Sequence, residues 1–422
     1  MSKETKGNNN TSRVMSSYGG GLEANTLAML DSTGAKDSRD ANEDRLQYLE
    51  AVRAASLVPE IGIPPTNKMY QAMFRILRFG RTLELITASF QLLTQLHQRF
   101  PWVYVSDSAD QLEIVDEAWS PFNFGSDSDV DSDGKELSVR SLFFQQLIQN
   151  MNKGFNESEE SELKILGNKL LFKYLVHVLK LDFTPRNQVY KETNNWSLLK
   201  ESSLNLLLAS RKVKFKLLMK DYLSTMCAPI DADEKSISLV ELHNGTLSAM
   251  KELLVMVVGY IMDLDASKQK ADLEGITSRG DGVRTPAMEI ILDELTYDGY
   301  LLSNFLQVFD DPIWKLEIVL QYLTKYIPKK IYLWLQPSVR TRRSNIPQAE
   351  GQQRLNGILK TFSSGTNSKN ITKKIGADIV QILIGHAFLA RLTFSNPNDG
   401  DSITEICNSI TSAFTSLKQV DQ

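Results

Sequence analysis

Apolar residues recur every three or four positions along most of this chain, and strict alternation never lasts more than a few residues. A period near 3.6 gathers side chains on one face of an α-helix, whereas a period of two gathers them on one face of a strand. From Asp40 onward the spacing therefore predicts helices. No convincing strand run stands out, and no Asn-Gly or Asp-Gly turn joins two strand-like runs.

The punctuation of these helices is legible. Pro64-Pro65-Thr66 opens one with Thr66 as N-cap, and Gly80 closes it. Arg81 to Phe100 follows and stops before Pro101. Further helices are expected over Leu137–Asn152, Glu160–Leu181, Trp196–Ala209, Val213–Cys227 and Ser236–Leu264. Then come Pro286–Tyr297, Tyr300–Phe309, Pro312–Ile327, Ile371–Phe394 and Ser402–Val420. Thr285-Pro286 and Asp311-Pro312 each place a capping residue before a proline at the first helical position.

Several helices carry two apolar stripes. Leu83, Ile86, Phe90 and Leu93 form one, and Leu85, Leu92 and Leu96 a second. Ile375, Ile379, Ile382 and Leu389 oppose Val380, Leu383 and Ile384 in the same way. A helix apolar on two sides is sandwiched between neighbours. Successive helices of this kind point to an all-α fold, an irregular armadillo- or HEAT-like array (α-solenoid) or a two-lobed bundle. No tetratricopeptide or ankyrin consensus is present.

The expected organisation is a disordered polar tail over residues 1–39, an N-terminal helical lobe over 40–265, a flexible loop over 266–285 and a C-terminal helical lobe over 286–422. The tail is rich in Gly, Asn, Ser and Thr and has little apolar surface to bury. The loop is polar and holds Gly275, Gly280 and Gly282. A length of 422 residues exceeds what one core of roughly 250–300 residues supports. Net charge is −4, so wholesale nucleic-acid binding by a basic surface is not expected. Cys227 and Cys407 are too few and too far apart for a disulfide framework, which fits the cytosol or nucleus. The first eighteen residues lack the apolar core of a secretory signal. The longest apolar run, Leu253–Met262, is half of what a membrane span needs, about twenty residues.

Nothing in the inventory argues for catalysis, a cofactor or a small-molecule substrate. The phosphate-binding, dinucleotide-binding, zinc-protease and nucleophile-elbow motifs are all missing. His97, His177 and His386 lie on apolar stripes without a ligand pair at helical spacing, so each is expected to be a packed, hydrogen-bonded core residue. Cys407, between Ile403, Ile406, Ile410 and Phe414, is expected to be a small core hydrophobe. Asp129, Asp131, Asp133 and Gly134 imitate the start of a calcium loop, but Arg140 stands where a bidentate glutamate is required and Glu136 where an apolar residue belongs. A solvated acidic loop is the better reading, with Ser126 and Ser128 as candidate acidophilic phosphorylation sites.

Two basic tracts oppose that acidity. Lys212, Lys216 and Lys220 share a helical face at four-residue spacing and form a candidate partner-binding surface, although a merely solvated face is the commoner outcome for such a run. Lys329, Lys330, Arg340, Arg342 and Arg343 loosely form a bipartite nuclear-import signal, with the apolar Ile331–Leu335 inside its spacer.

Three segments, KDSRDANEDRLQYLEAVRAASLVPE, ASFQLLTQLHQRFPWVYVSDSADQ and EGITSRGDGVRTPAMEIILDELTYDGYLL, resemble the plant family of negative regulators of systemic acquired resistance. The resemblance runs through nearly the whole chain. It implies a nuclear, armadillo-like helical protein without catalytic residues that represses defence genes and limits DNA damage responses and recombination. It also implies an accessory role in the structural-maintenance-of-chromosomes five–six complex. The family is expected to continue past the position of Gln422, and Ile331–Ser338 departs from its pattern, which weakens the import-signal reading. Two functions stay open: a scaffold that binds protein partners, and a repressor that touches DNA or chromatin directly. The acidic balance and the lack of a base-reading helix favour the scaffold.

Overall fold

Capping chemistry sets where the helices of unit 1, Met1–Val257, begin. In the computed structural model of the chain, Thr66 accepts a hydrogen bond from Met69 N at 3.4 Å and opens α2 (Asn67–Phe79). Thr82 accepts from Leu85 N at 3.3 Å and opens α3 (Leu83–Arg99). Each cap satisfies one orphan backbone donor and stabilises its helix by about 1 kcal/mol. Ahead of these lies α1 (Arg39–Ser56), where Tyr48 OH meets the buried Thr26 hydroxyl at 3.2 Å. The structure describes residues 23, 25–27, 39–59, 62–106, 112–115, 118–122, 141–151, 159–208, 215–226, 237–273, 287–326, 355–361, 365–393 and 400–421.

Among the described residues the chain is all-α apart from one small hairpin, β1 (Val103–Val105) with β2 (Leu112–Ile114). The lack of any convincing strand run in the sequence fits this small amount of sheet, although it did not announce the hairpin. Its strands are three residues each, too short for alternation to register as a pattern.

After the hairpin come α4 (Ser141–Met151), α5 (Glu159–Thr193), the short α6 (Trp196–Lys200) and α7 (Ser203–Leu208), α8 (Phe215–Met226) and α9 (Ile237–Leu273). The centre of unit 1 is α5, against which α2, α3, α4, α6, α7 and the hairpin pack. Its Phe172, Tyr174, Leu175, Val178 and Leu179 are fully buried. The two apolar stripes of α3 have the expected consequence: α1, α2 and α5 all contact it, with only Leu83 substantially exposed.

Helix α9 runs on past Leu264 to Leu273, into the segment expected to be a loop, and three other helices also differ from the sequence expectation. First, α5 continues past Leu181 and carries Pro185 inside it. Proline removes one backbone donor and usually breaks a helix. Here Asp182, one turn N-terminal to Arg186, accepts from Arg186 Nε at 2.9 Å and holds the turn closed across the proline. Second, the helix expected over Trp196–Ala209 is broken between α6 and α7. Ser202 Oγ accepts from Asn205 N at 3.2 Å, and Asp182 Oδ2 reaches from α5 to accept Ser203 N at 2.6 Å. Third, the helix expected over Ile371–Phe394 is two helices, described next.

Unit 2, Val258–Gln422, holds α10 (Ala287–Leu295), α11 (Gly299–Gln307), α12 (Pro312–Thr324), a helical turn over residues 355–361, α13 (Gly365–Ile375), α14 (Ala377–Leu392) and α15 (Gly400–Asp421). Asp311 caps α12 as expected, accepting from Ile313 N at 2.8 Å with Pro312 at the first helical position. Asp298 caps α11 through Tyr300 N and Leu301 N. Asp265 Oδ2 accepts Met288 N at the start of α10. Between α13 and α14, Gly376 adopts φ +84°, a conformation that L side chains avoid, and the axis turns by 102°. Helix α14 then packs on α11, α12, α13 and α15, burying Val380, Leu383 and Ile384, while Leu389 on its other stripe faces solvent. Among the described residues no single helix is long and apolar enough to cross a membrane.

Candidate interaction surfaces

Of the residues singled out from sequence, Lys216 and Lys220 sit on α8, whose far end packs through Tyr222, Leu223 and Met226. Lys212 lies outside the described residues, as do Ser126, Ser128, the Asp129–Arg140 loop and the five cations Lys329, Lys330, Arg340, Arg342 and Arg343.

The histidines occupy packed positions. His97 is 1% exposed, and its Nε2 pairs with Tyr174 OH at 2.8 Å. Its ring stacks on Tyr70 at 4.8 Å and meets Trp102 edge-on, while Tyr70 in turn stacks on Trp119. Burial, aided by neighbouring His177, pushes the His97 pKa down to about 3, so the ring is neutral. His177 is also lowered, first by burial and then by Lys180. His386 meets Ser303 Oγ at 3.2 Å. Cys407 is half-buried on α15 rather than fully within the core. Among the described residues no group of three or more His, Cys, Asp or Glu could hold a metal.

Lys325, four residues ahead of the Lys329–Lys330 pair, is engaged inside unit 2. Its Nζ lies 2.7 Å from both Glu289 Oε1 and Asp293 Oδ2. Tyr322 OH donates to Asp293 at 2.8 Å, and the rings of Tyr322 and Tyr326 flank the ammonium. Burial opposes the charge, yet the bonds to Asp293 and Glu289 outweigh it and raise the Lys325 pKa. The spacing Glu289, Asp293 at i, i+4 was the available signal; its partner, over thirty residues away, was not visible.

Two surfaces escaped sequence reasoning. Tyr297 and Tyr300, at the turn between α10 and α11, are 87% and 65% exposed. The other is the hairpin. Val103 is buried toward α5, which touches both strands, whereas Glu113, Ile114 and Val115 face solvent. On the outward face Tyr104 OH donates to Glu113 at 2.7 Å. Hydrogen bonds from Tyr104 and then Ser106 hold the Glu113 carboxyl below the ordinary carboxylate range.

The packed helices and the single short hairpin among the described residues define an all-α protein. The chain belongs to the SNI1 family, the negative regulators of systemic acquired resistance. The SNI1 middle domain matches residues 102–236 and 230–311, and the SNI1 C-terminal domain matches 334–422. The chain is 86% identical over 422 residues to the negative regulator of systemic acquired resistance SNI1 of Arabidopsis thaliana, covering 100% of this chain and 95% of that protein. No solved structure matches.

Proposed function

We propose that the chain negatively regulates systemic acquired resistance as a non-catalytic nuclear scaffold, an armadillo-like helical array that binds protein partners. The observation that carries the reading is the 86% identity, over the full chain, to the Arabidopsis regulator. At that identity the buried core and most surface positions are shared, so the same partners find the same contacts. The finer reading is an accessory subunit of the structural-maintenance-of-chromosomes five–six complex, acting on defence-gene transcription, DNA damage responses and recombination. The all-helical build supports it, because packed helices spend apolar residues internally and leave extended polar ridges for shallow protein contacts.

The test has two arms. The chain, expressed in an Arabidopsis line lacking the relative, should restore repression of pathogenesis-related genes; unrestored repression overturns the regulatory reading. Affinity purification from plant nuclei should recover subunits of the chromosome complex. Recovery of chromatin alone, lost steeply as salt rises, would favour direct DNA contact instead.

A further inference from the structure

Among the described residues the hairpin has an open side. Its strands pair antiparallel with Val103 opposite Ile114, Tyr104 opposite Glu113 and Val105 opposite Leu112. Val115 N donates to Trp102 O at 2.8 Å, which makes 102/115 a hydrogen-bonded pair. Such pairs alternate along an antiparallel ladder, so 104/113 is the next one. The backbone groups of Leu112 and Ile114 therefore point away from β1. They make no hydrogen bond among the described residues. Ile114 is 42% exposed on the face that Val103 buries, as expected where the next strand position is empty.

The charge of this region is one-sided. Residues 102–119 contain Asp107, Asp110, Glu113, Asp116 and Glu117, and no Lys or Arg occurs between Phe100 and Gly134. Glu113 itself projects from the middle of β2, on the face opposite Leu112 and Ile114.

We infer that the free edge of β2 docks an extended basic segment of a partner protein by strand addition. Main-chain bonds to Leu112 and Ile114 supply affinity, and alternate side chains supply selectivity. The incoming strand places apolar residues beside Leu112 and Ile114 and a Lys or Arg between them, against Glu113. An unpaired strand edge presents N–H and C=O groups ready to pair with another chain, and β2, though short, holds no proline that would remove such a donor. The inference gives the scaffold reading above one of its contact points, but peptide binding is measured independently of that reading.

The probe is a synthetic peptide with alternating valine and lysine, titrated into the full chain by fluorescence anisotropy. A glutamate-for-lysine peptide and a lysine peptide N-methylated at alternate amides are the comparisons. The lysine peptide should bind, and each comparison should bind at least tenfold more weakly. Ile114→Pro removes an outward N–H that β1 does not use, so the hairpin survives while peptide affinity falls at least tenfold. Glu113→Lys should invert the preference toward the glutamate peptide. Equal binding of the lysine and N-methylated peptides overturns the inference, and does so even if Ile114→Pro fails to fold. No binding at millimolar peptide also overturns it. A concentration-dependent dimer abolished by Ile114→Pro would overturn the basic-partner assignment and give the edge to a second copy of the chain.

Discussion

Asp182 and Arg186 form a buried ion pair, Nε to Oδ1 at 2.9 Å with side chains 3% and 7% exposed, and the other carboxylate oxygen of Asp182 caps α7 at Ser203 N. Arg186 Nη1 reaches Leu198 O as well, so one pair ties α5 to both short helices that follow it. Removing the acid leaves a buried guanidinium with only the exposed Glu201, at 3.8 Å, as an anion, and α7 without its cap. Asp182→Ala is expected to cost about 3–5 kcal/mol. The double change Asp182→Leu with Arg186→Met should cost less than either single change, because no uncompensated charge remains. Urea unfolding of the double variant beside Asp182→Leu and Arg186→Met alone measures this; additive losses would contradict it.

His97 makes unit 1 sensitive to acid. Its pKa is about 3 in the folded chain against 6.5 in the unfolded one, so the unfolded chain binds the extra proton between those values. Stability is fully present above about pH 6.5 and falls as pH drops toward 3, by about 1.4 kcal/mol per unit in the steep part of that window. His97→Phe should flatten this part of the pH–stability curve, at the cost of the bond to Tyr174. An unchanged slope in thermal melts from pH 7 to pH 4 would assign the sensitivity to other groups.

Gly376→Ala tests the bend between α13 and α14. A Cβ there meets nothing within 4 Å, so the penalty is conformational and not steric. Forcing an L side chain to φ +84° is expected to destabilise by about 1–2 kcal/mol. Gly259→Ala offers the contrast: its Cβ would lie 2.8 Å from the Trp314 ring, and the loss there should come from displaced packing.

Lys325→Met keeps the stem and removes the ammonium, leaving Glu289 and Asp293 one turn apart without their cation. A loss of about 1–2 kcal/mol is expected in this partly exposed cluster. Raising salt should shrink the difference between wild type and variant, and salt independence would argue that packing against Tyr322 and Tyr326 dominates.

Reversal of Lys212, Lys216 and Lys220 to glutamate should weaken recovery of the partner complex while changing stability by no more than about 0.5 kcal/mol per site. The readouts are co-purification and a melting curve. Unchanged co-purification identifies a merely solvated face, and loss of both identifies lysines that support the fold.

The parts of this architecture legible in the sequence are those written locally. Thr66 and Asp311 announce their helices because a cap and its amide lie within three residues. The two stripes of α3 foretold neighbours on both sides, since the period of a helix is fixed. The misses are written at a distance. Asp182 decides both that α5 survives Pro185 and that α6 and α7 separate, yet its second partner is twenty-one residues downstream. Gly376 falls inside the helix expected over Ile371–Phe394, because a glycine's φ is invisible until packing selects it. The β2 edge was hidden for a different reason: three residues of LEI carry no period at all.

Proline at position 185 withholds the one amide that the Leu181 carbonyl would accept in an unbroken ladder. Viewed from outside, α5 is a single rod of 35 residues, but its ladder of main-chain bonds is spliced there. The stretch before the splice is anchored by many fully buried side chains, and the stretch after it by Arg186, Val189 and the edge-on contact of Tyr190 with Trp196. Amides on the two sides should therefore exchange with deuterium as separate blocks. The earlier block opens only with the whole unit, while the later one, from Asn187 to Thr193, frays on its own and takes the approach to α6 with it.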